Sequence, residues 1–394
     1  MQTDHRNVLV LGTCQMLSGT GRGLFMVTSP AVALLIAPHP ALVTLPTGLI
    51  VVGAALAAMP TSLFTRRFGR KTGFLCGTAL AAASGASCTA AVLYGNFWFL
   101  LLGGFLYGLF SSFSQLYRFA VADAASAEFR PKAISFVLAG GVFAGFAGPN
   151  LANWGKGLLS SHLFAGAFLF MIGTGLLAAL ALMFLNIPNL TREQREGEQR
   201  PLLEIIKQPV FVVAAVSATV AQSVMNFLMT ATPVAMIAHG GHAFGSVATV
   251  ISSHSVSMFA PGFFTGSLVK RFGEIPIIVT GLVLQGTCIT VALVDDHVFH
   301  FWLAMVLLGV GWNFTYTAAT TLMTTAYTPS ERNKTQGMMN QIIYTVVAIG
   351  SLSSGAVIHF LGWTWVNIGA APMLLLAVLA TIWHVAAKSN AVEA

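Results

Sequence analysis

The chain has 394 residues, of which 56% are hydrophobic and 8% are charged, and its formal net charge is +7. Soluble domains carry about 25% charged residues, so most of the surface of this protein must face lipid rather than water. The composition therefore excludes a soluble globular protein and predicts an all-α integral membrane protein.

Twelve apolar segments follow one another along the chain, separated by Gly, Pro and charged residues. A membrane-spanning helix needs about 20 apolar residues, and each segment is of about that length. The predicted spans are residues 7–37, 42–64, 72–94, 97–122, 133–155, 163–185, 210–238, 244–269, 275–294, 299–326, 336–361 and 365–385.

The basic residues predict how these spans are oriented. With the N-terminus placed inside, 16 of the 19 Lys and Arg residues fall in loops on that side, and Lys156 alone falls in an opposite loop. Because Lys and Arg accumulate in cytoplasmic loops, we expect both termini to be cytoplasmic and the protein to lie in the plasma (inner) membrane. Basic loops facing anionic lipid also account for the net charge, which needs no nucleic acid as a partner.

The longest polar stretch lies in the middle of the chain and divides the spans six and six. We predict an N-terminal bundle at residues 1–185, a cytoplasmic linker at 186–209 and a C-terminal bundle at 210–394. A repeat supports this division, because the sequence RRFG at residues 66–69 returns as KRFG at 270–273. Two homologous halves are the simplest explanation.

The loop after the second span carries the most specific motif of the chain. Residues 62–71 read SLFTRRFGRK. Together with twelve spans in two halves, this loop resembles the signature of the major facilitator superfamily. The resemblance covers essentially the whole chain and implies two pseudo-symmetric six-helix bundles, alternating access and a monomer. The chain departs from the family pattern at Arg66, which occupies the position of an aspartate that is thought to latch one state of the carrier.

Gating is predicted for the two repeated loops, for the neighbouring charged loop and for the fifth span. Pro149 ends a glycine-rich stretch of that span, which suits a flexing helix and resembles the Gly-Pro motif of antiporters. The predicted gating residues are Arg66, Arg67, Gly69, Arg70, Lys71, Asp123, Arg130, Pro149, Lys270, Arg271 and Gly273.

The resemblance also implies that spans one, four, seven and ten line a central cavity. Polar and aromatic side chains in those spans are therefore candidates for substrate binding. They are Arg22, Arg118, Gln115, Gln222, Asn226, Trp312, Asn313 and Tyr316.

Arg22 is the strongest of these candidates, since it lies at the centre of span one and no acidic residue lies inside any apolar segment. Burying a guanidinium in hydrocarbon costs about 2.5–3.5 kcal/mol even on lenient scales. An anionic substrate would repay that cost, and an arginine bonded to helix carbonyls is the structural alternative. Arg118 lies near the cytoplasmic end of span four. Its position is compatible with two roles, an inner binding group and a gating contact.

His254 is the clearest intramembrane group that titrates near neutral pH, so it is the candidate for proton coupling. A neutral histidine satisfied by its neighbours is the alternative. The four cysteines give no metal-binding spacing. His239 and His242 together with residues 295–297 could suggest a metal site, but ordinary loop polarity is the simpler interpretation, and we expect no metal and no cofactor.

Phosphate-binding and hydrolase motifs are absent, so we expect a gradient-driven carrier rather than an enzyme. The leading hypothesis is a secondary transporter or facilitator, a symporter or antiporter, for a small organic solute that we expect to be anionic. One alternative is proton-coupled efflux of drug-like or amphiphilic compounds. An alternative of another class is a receptor or sensor on a carrier fold that does not transport.

Overall fold

A computed structural model describes residues 2–124, 130–186, 200–328 and 331–393. Within these ranges, side chains are described except at residues 2–4, 66, 118–119, 121–124, 130–139, 332–333 and 388–393. Predictions for Arg66, Arg118, Asp123 and Arg130 therefore concern side chains outside the described set.

The first half consists of six helices that pack on one another. They are α1 (Gln2–Ile36), α2 (Leu45–Phe68), α3 (Arg70–Tyr94), α4 (Phe97–Ala124), α5 (Arg130–Gly155) and α6 (Ala165–Met183). A short turn at Pro40–Leu42 joins α1 to α2. Contacts of α1 with α4, α5 and α6 put α1 at the centre of this bundle.

The second half repeats the arrangement with one span broken in two. Its helices are α7 (Leu202–Ile206), α8 (Pro209–Val234), α9 (Phe244–Phe259), α10 (Gly262–Phe272), α11 (Glu274–Ala292), α12 (Val298–Met323), α13 (Arg332–Leu361) and α14 (Trp363–Glu393). Helices α9 and α10 meet at an angle of 42°. In the described part of the chain, ten helices are long and apolar enough to cross a membrane, or eleven if the bent α9–α10 pair is one span. Helix α5 is a further helix of 26 residues.

The sequence repeat produces the same local structure in both halves. Gly69 ends α2 with φ 88°, and Gly273 ends α10 with φ 84°. Only glycine adopts this backbone readily, which is why the repeated motif ends on it. The arginine before each junction lies over the neighbouring ring, Arg67 at 5.4 Å from the centroid of Phe68 and Arg271 at 5.2 Å from that of Phe272.

The two halves meet near the membrane face opposite to the chain termini. We call this the distal face, and the face with both termini the terminal face. On one side of the molecule α5 packs on α9, and a Cβ added to Gly145 would lie 2.8 Å from the Cβ of Ser255. On the other side α2 packs on α13, where the Ser354 and Thr44 hydroxyls are 3.4 Å apart. Small residues thus allow the halves to approach closely.

Two pairs of side chains extend this contact at the distal face. Lys156, which follows α5, lies over the rings of Phe164 and Phe244 with its Nζ 5.8 and 5.4 Å from their centroids. His39, before α2, meets His359 of α13 with the rings edge to face at 5.2 Å. Both pairs join the first half to the second, so the distal face is closed in this conformation.

Candidate functional site

An aromatic cluster lies at the middle of α12, where the second half borders the first. Trp312 and Tyr316 are one helical turn apart and stack with ring centroids 5.0 Å apart and planes at 14°. Phe259, at the end of α9, meets Trp312 edge to face at 6.5 Å. A Cβ added to Gly141 of α5 would lie 2.9 Å from the Phe259 ring, so the cluster reaches the first half.

A polar side chain from α8 is bonded to this cluster. The Trp312 indole donates to Oε1 of Gln222 across 2.8 Å. One turn further along α8, the side-chain amide of Asn226 donates to the backbone carbonyl of Gln222 across 2.9 Å. Trp312, Tyr316 and Gln222 are all half-buried, which leaves part of each surface available to a solute. Three of the predicted binding residues, Gln222, Trp312 and Tyr316, are thus brought together, while Asn226 is buried, with 3% of its surface exposed, and among the described residues is bonded only within α8.

Arg22 lies at the corresponding depth in the first half. Its neighbours in α1 pack tightly, since a Cβ on Gly21 would lie 2.8 Å from the Tyr107 hydroxyl and one on Gly23 would lie 3.2 Å from Pro149. Arg22 itself is half-buried and lies within electrostatic range of Tyr107. Within the described part of the chain its guanidinium makes no hydrogen bond and no ion pair. The sequence alternative of an arginine bonded to helix carbonyls finds no support in this arrangement.

Two further candidates for substrate binding, Gln115 and Arg118, belong to α4. Gln115 is half-buried on α4 and makes no hydrogen bond among the described residues. The side chain of Arg118 lies outside the described set, so its role in binding or in gating stays a prediction.

Asn313 has a different environment from the one predicted. It is 4% exposed, its amide nitrogen donates to the Met258 carbonyl across 2.7 Å, and its Oδ1 accepts from Thr265 across 2.7 Å. Met258 lies just before the break between α9 and α10, where Pro261 interrupts the helical hydrogen bonds. Asn313 therefore satisfies backbone at the break and, in this conformation, presents no free polar atom to a substrate.

His254 is fully buried between α9 and α12. Its Nδ1 is 2.8 Å from the Met305 carbonyl, which can only accept, so Nδ1 carries the proton. Its Nε2 is buried without a hydrogen-bond partner in the described structure. The described neighbours thus offer the ring one acceptor, and proton coupling by His254 stays a prediction.

The predicted gating residues occupy three different settings. Lys71 donates to the Met183 carbonyl across 2.6 Å and so caps α6, while Arg70 is the first residue of α3. Lys270 and Arg271 lie in the last turn of α10. Pro149 lies inside α5 against Gly23 of α1. Their gating roles stay predictions.

A buried carboxylate on the terminal face was not predicted as functional. Glu331, which is 1% exposed, precedes α13 and accepts from Nε and Nη2 of Arg200 across 2.8 and 2.7 Å and from the Thr328 amide across 2.9 Å. Lys334 donates to the Arg200 carbonyl. The Arg200 guanidinium, and after it the Thr328 amide, hold the pKa of Glu331 well below its ordinary value. The carboxylate thereby fixes the chain before α7 to the loop after α12.

Phe259, Phe244 and Lys156 were also missed as candidates. Lys156 carried one signal, since it is the single basic residue in a loop of the predicted outer side. The phenylalanines carried none, because apolar aromatic residues recur throughout the spans.

Comparison with known families settles the class of the protein. A model of the Major Facilitator Superfamily matches residues 11–241 and 215–393. The chain belongs to the major facilitator superfamily. This membership confirms the predicted fold of twelve transmembrane helices in two six-helix bundles, and it makes the chain a multi-pass membrane transporter rather than an enzyme.

Several other members of the superfamily match over nearly their full length. The riboflavin transporter RfnT of Brucella anthropi is 36% identical over 99% of this chain and 98% of its own. The uncharacterised transporter YddS of Bacillus subtilis is 28% identical over 97% of this chain and 92% of its own.

A solved structure of the superfamily has the same fold. A bacterial homologue of the human lysosomal transporter Spinster, crystallised in an inward-facing and occupied conformation, superposes with a TM-score of 0.72. The match covers 99% of this chain and 97% of the other at 16% identity, a likeness of fold alone.

Proposed function

We propose that this protein is a secondary transporter for riboflavin or a closely related flavin. The observation that carries the proposal is the stacked pair of Trp312 and Tyr316 in the middle of α12. The Trp312 indole of this pair is hydrogen-bonded to Gln222. The 36% identity to a riboflavin transporter over 99% of the chain supports the same substrate.

The chemistry of a flavin suits this cluster. The isoalloxazine ring is flat and aromatic, and offset stacking on Trp and Tyr is the geometry that such rings prefer. Its pyrimidine carbonyls and its ribityl hydroxyls need hydrogen-bond partners once they leave water. Gln222 on α8 is such a polar group, since its side-chain amide is hydrogen-bonded to Trp312 of the stacked pair.

Arg22 favours a second candidate, an organic anion, which includes a phosphorylated flavin. An arginine in the membrane without a carboxylate partner in the described structure leaves a positive charge that an anion would neutralise. Charge-assisted hydrogen bonds contribute about 1.5–3 kcal/mol, so Arg22 would bind an anion at least about tenfold more tightly than a neutral residue would.

We infer that transport proceeds by alternating access, with the closed distal face representing one of the two states. Opening that face requires Lys156 to leave Phe244 and His39 to leave His359. The positive-inside argument makes the terminal face cytoplasmic, so this state would open toward the cytoplasm. We propose that a monomer in the inner membrane carries out the cycle.

Counterflow in proteoliposomes tests the function. Purified protein is reconstituted in vesicles loaded with unlabelled riboflavin, and entry of labelled riboflavin is compared with that of labelled flavin mononucleotide and of a panel of organic anions. Trp312→Ala should reduce riboflavin counterflow, while Trp98→Ala, at a position 68% exposed, serves as the matched control.

The outcomes separate the candidates. Riboflavin counterflow that is lost in Trp312→Ala and kept in Trp98→Ala supports a flavin carrier. Counterflow of anions alone, abolished by Arg22→Ala and restored in part by Arg22→Lys, supports the second candidate. Binding of flavin without any flux would contradict transport and favour a receptor.

A further inference from the structure

The hydrogen bond between Trp312 and Gln222 fixes the direction in which the Gln222 amide points. An indole N–H can only donate, so the atom 2.8 Å from Trp312 Nε1 must be the amide oxygen of Gln222. The usual ambiguity between the two ends of a glutamine amide is thereby removed. The backbone carbonyl of the same residue accepts from Asn226, so the oxygen acceptors of Gln222 are already engaged.

The other end of the amide remains available. Nε2 of Gln222 makes no hydrogen bond within the described part of the chain, and the residue is half-buried beside the aromatic pair. A half-buried N–H₂ group at the middle of the membrane needs acceptors, which lipid cannot supply. A substrate stacked on the neighbouring rings is in a position to supply them.

We propose that Gln222 selects the substrate by donating from Nε2 to acceptor atoms on the edge of the substrate. Trp312 is the positioning residue that holds the Gln222 amide in this donor orientation. This inference rests on the proposed flavin transport and deepens it. In riboflavin the strongest acceptors of the ring are the two carbonyl oxygens of its pyrimidine part, and we assign Gln222 to one of them. Gln222 therefore distinguishes flavins that carry these oxygens from rings of the same shape that lack a good acceptor there.

Direct binding to purified protein in detergent tests the assignment without requiring transport. Riboflavin affinity is read from quenching of its fluorescence, and 2-thioriboflavin and 4-thioriboflavin are measured by competition. In each analogue a sulfur atom, a poor acceptor, replaces one carbonyl oxygen. The variants are Gln222→Met, which keeps the length but removes the donor, and Trp312→Phe, which keeps a ring but removes the indole N–H. Gln341→Met, at an exposed position on α13, is the matched control.

The wild type should bind one of the two thio analogues about 3- to 10-fold more weakly than riboflavin, the change expected from one neutral hydrogen bond. Gln222→Met should weaken the binding of riboflavin by a similar factor. The ratio of the two dissociation constants, that of the thio analogue over that of riboflavin, should then come near one. Trp312→Phe should also lower the ratio, because the freed amide can turn its oxygen toward the ligand. Adding Gln222→Met to Trp312→Phe should then change the ratio little further.

Different failures point to different errors. Wild-type binding of riboflavin with a ratio that Gln222→Met leaves unchanged would overturn the role of Gln222 while leaving flavin transport intact. Absence of riboflavin binding to the wild type would overturn the proposed flavin function, and the Gln222 assignment with it. If Gln222→Met does not fold, Gln222→Glu keeps the oxygen that accepts from Trp312, and at neutral pH it should lower the ratio in the same way.

Discussion

Lys156 provides the sharpest test of how the two halves are held together at the distal face. Replacing it with Met keeps most of the side-chain length and removes the positive charge. Of its two ring contacts, the one to Phe164 lies within the first half, and the one to Phe244 at 5.4 Å crosses to the second. Only the second contact must break when the distal face opens, so only that contact biases the equilibrium between the two states.

The size of the effect follows from that single contact. A cation over an aromatic face contributes about 0.5–1 kcal/mol where it is partly exposed, and Lys156 is half-buried. Losing it should shift the equilibrium toward the open distal face about two- to fivefold. The shift stays modest because the ring contact between Phe164 and Phe244, with centroids 4.9 Å apart, is retained in the variant.

Pulsed electron spin resonance between two labels measures the shift. Labels at Ser160→Cys and Asp295→Cys lie in distal loops of opposite halves, in a background with the four native cysteines replaced. Lys156→Met should increase the population at long distance, and Lys156→Arg, which keeps the charge, should not. Equal distributions in Met, Arg and wild type would refute the argument, as would equal shifts in both variants.

Three further outcomes follow from other contacts. The low pKa of Glu331 means that its contribution to stability is complete above the ordinary Glu pKa, about 4.3, and declines as the pH falls toward the folded value. The thermal midpoint of the wild type should therefore fall below that pH more steeply than that of Glu331→Gln, and parallel curves would contradict this. Gly273→Ala, at φ 84°, should lower the thermal midpoint, whereas Gly266→Ala, in an open helical position, should leave it unchanged or raise it; equal midpoints would argue against strain at Gly273. Asn313→Leu should destabilise the protein by about 1–3 kcal/mol, because the Met258 carbonyl loses its partner, without changing the ratio of riboflavin to its thio analogues; a changed ratio would return Asn313 to the site.

The sequence was most informative where a local pattern determines a local structure. The twelve apolar segments predicted the helices, because a backbone buried in lipid must satisfy its own hydrogen bonds and has few alternatives to a helix. The repeated motif indicated two homologous halves, and its two glycines, Gly69 and Gly273, have nearly the same positive φ. The short helix α7 lies inside the stretch that was predicted as the linker, residues 186–209.

Contacts between distant residues could not be predicted in the same way. Trp312 and Gln222 are 90 positions apart, and nothing in either span indicates that the indole faces that amide. Asn313 and Trp312 are adjacent in sequence and point in different directions, one to the helix break and one to the boundary between halves. Phe244 gains its importance from Lys156 and Phe164, which lie in the other half. Such pairings depend on how helices rotate against one another, and that is set by the glycines and small residues of every neighbouring helix together.

The break between α9 and α10 divides one span into two parts, and both parts are hydrogen-bonded to α12. Helix α9 packs against α5 of the first half, while its His254 bonds to the Met305 carbonyl of α12, and Thr265 of α10 bonds to Asn313 of the same helix. A displacement of the halves therefore has to occur where α9 meets α5, since both parts of the broken span are tied to α12. A probe attached to α10 would report the position of the second half, and one attached to α9 would report the fit of the two halves against each other.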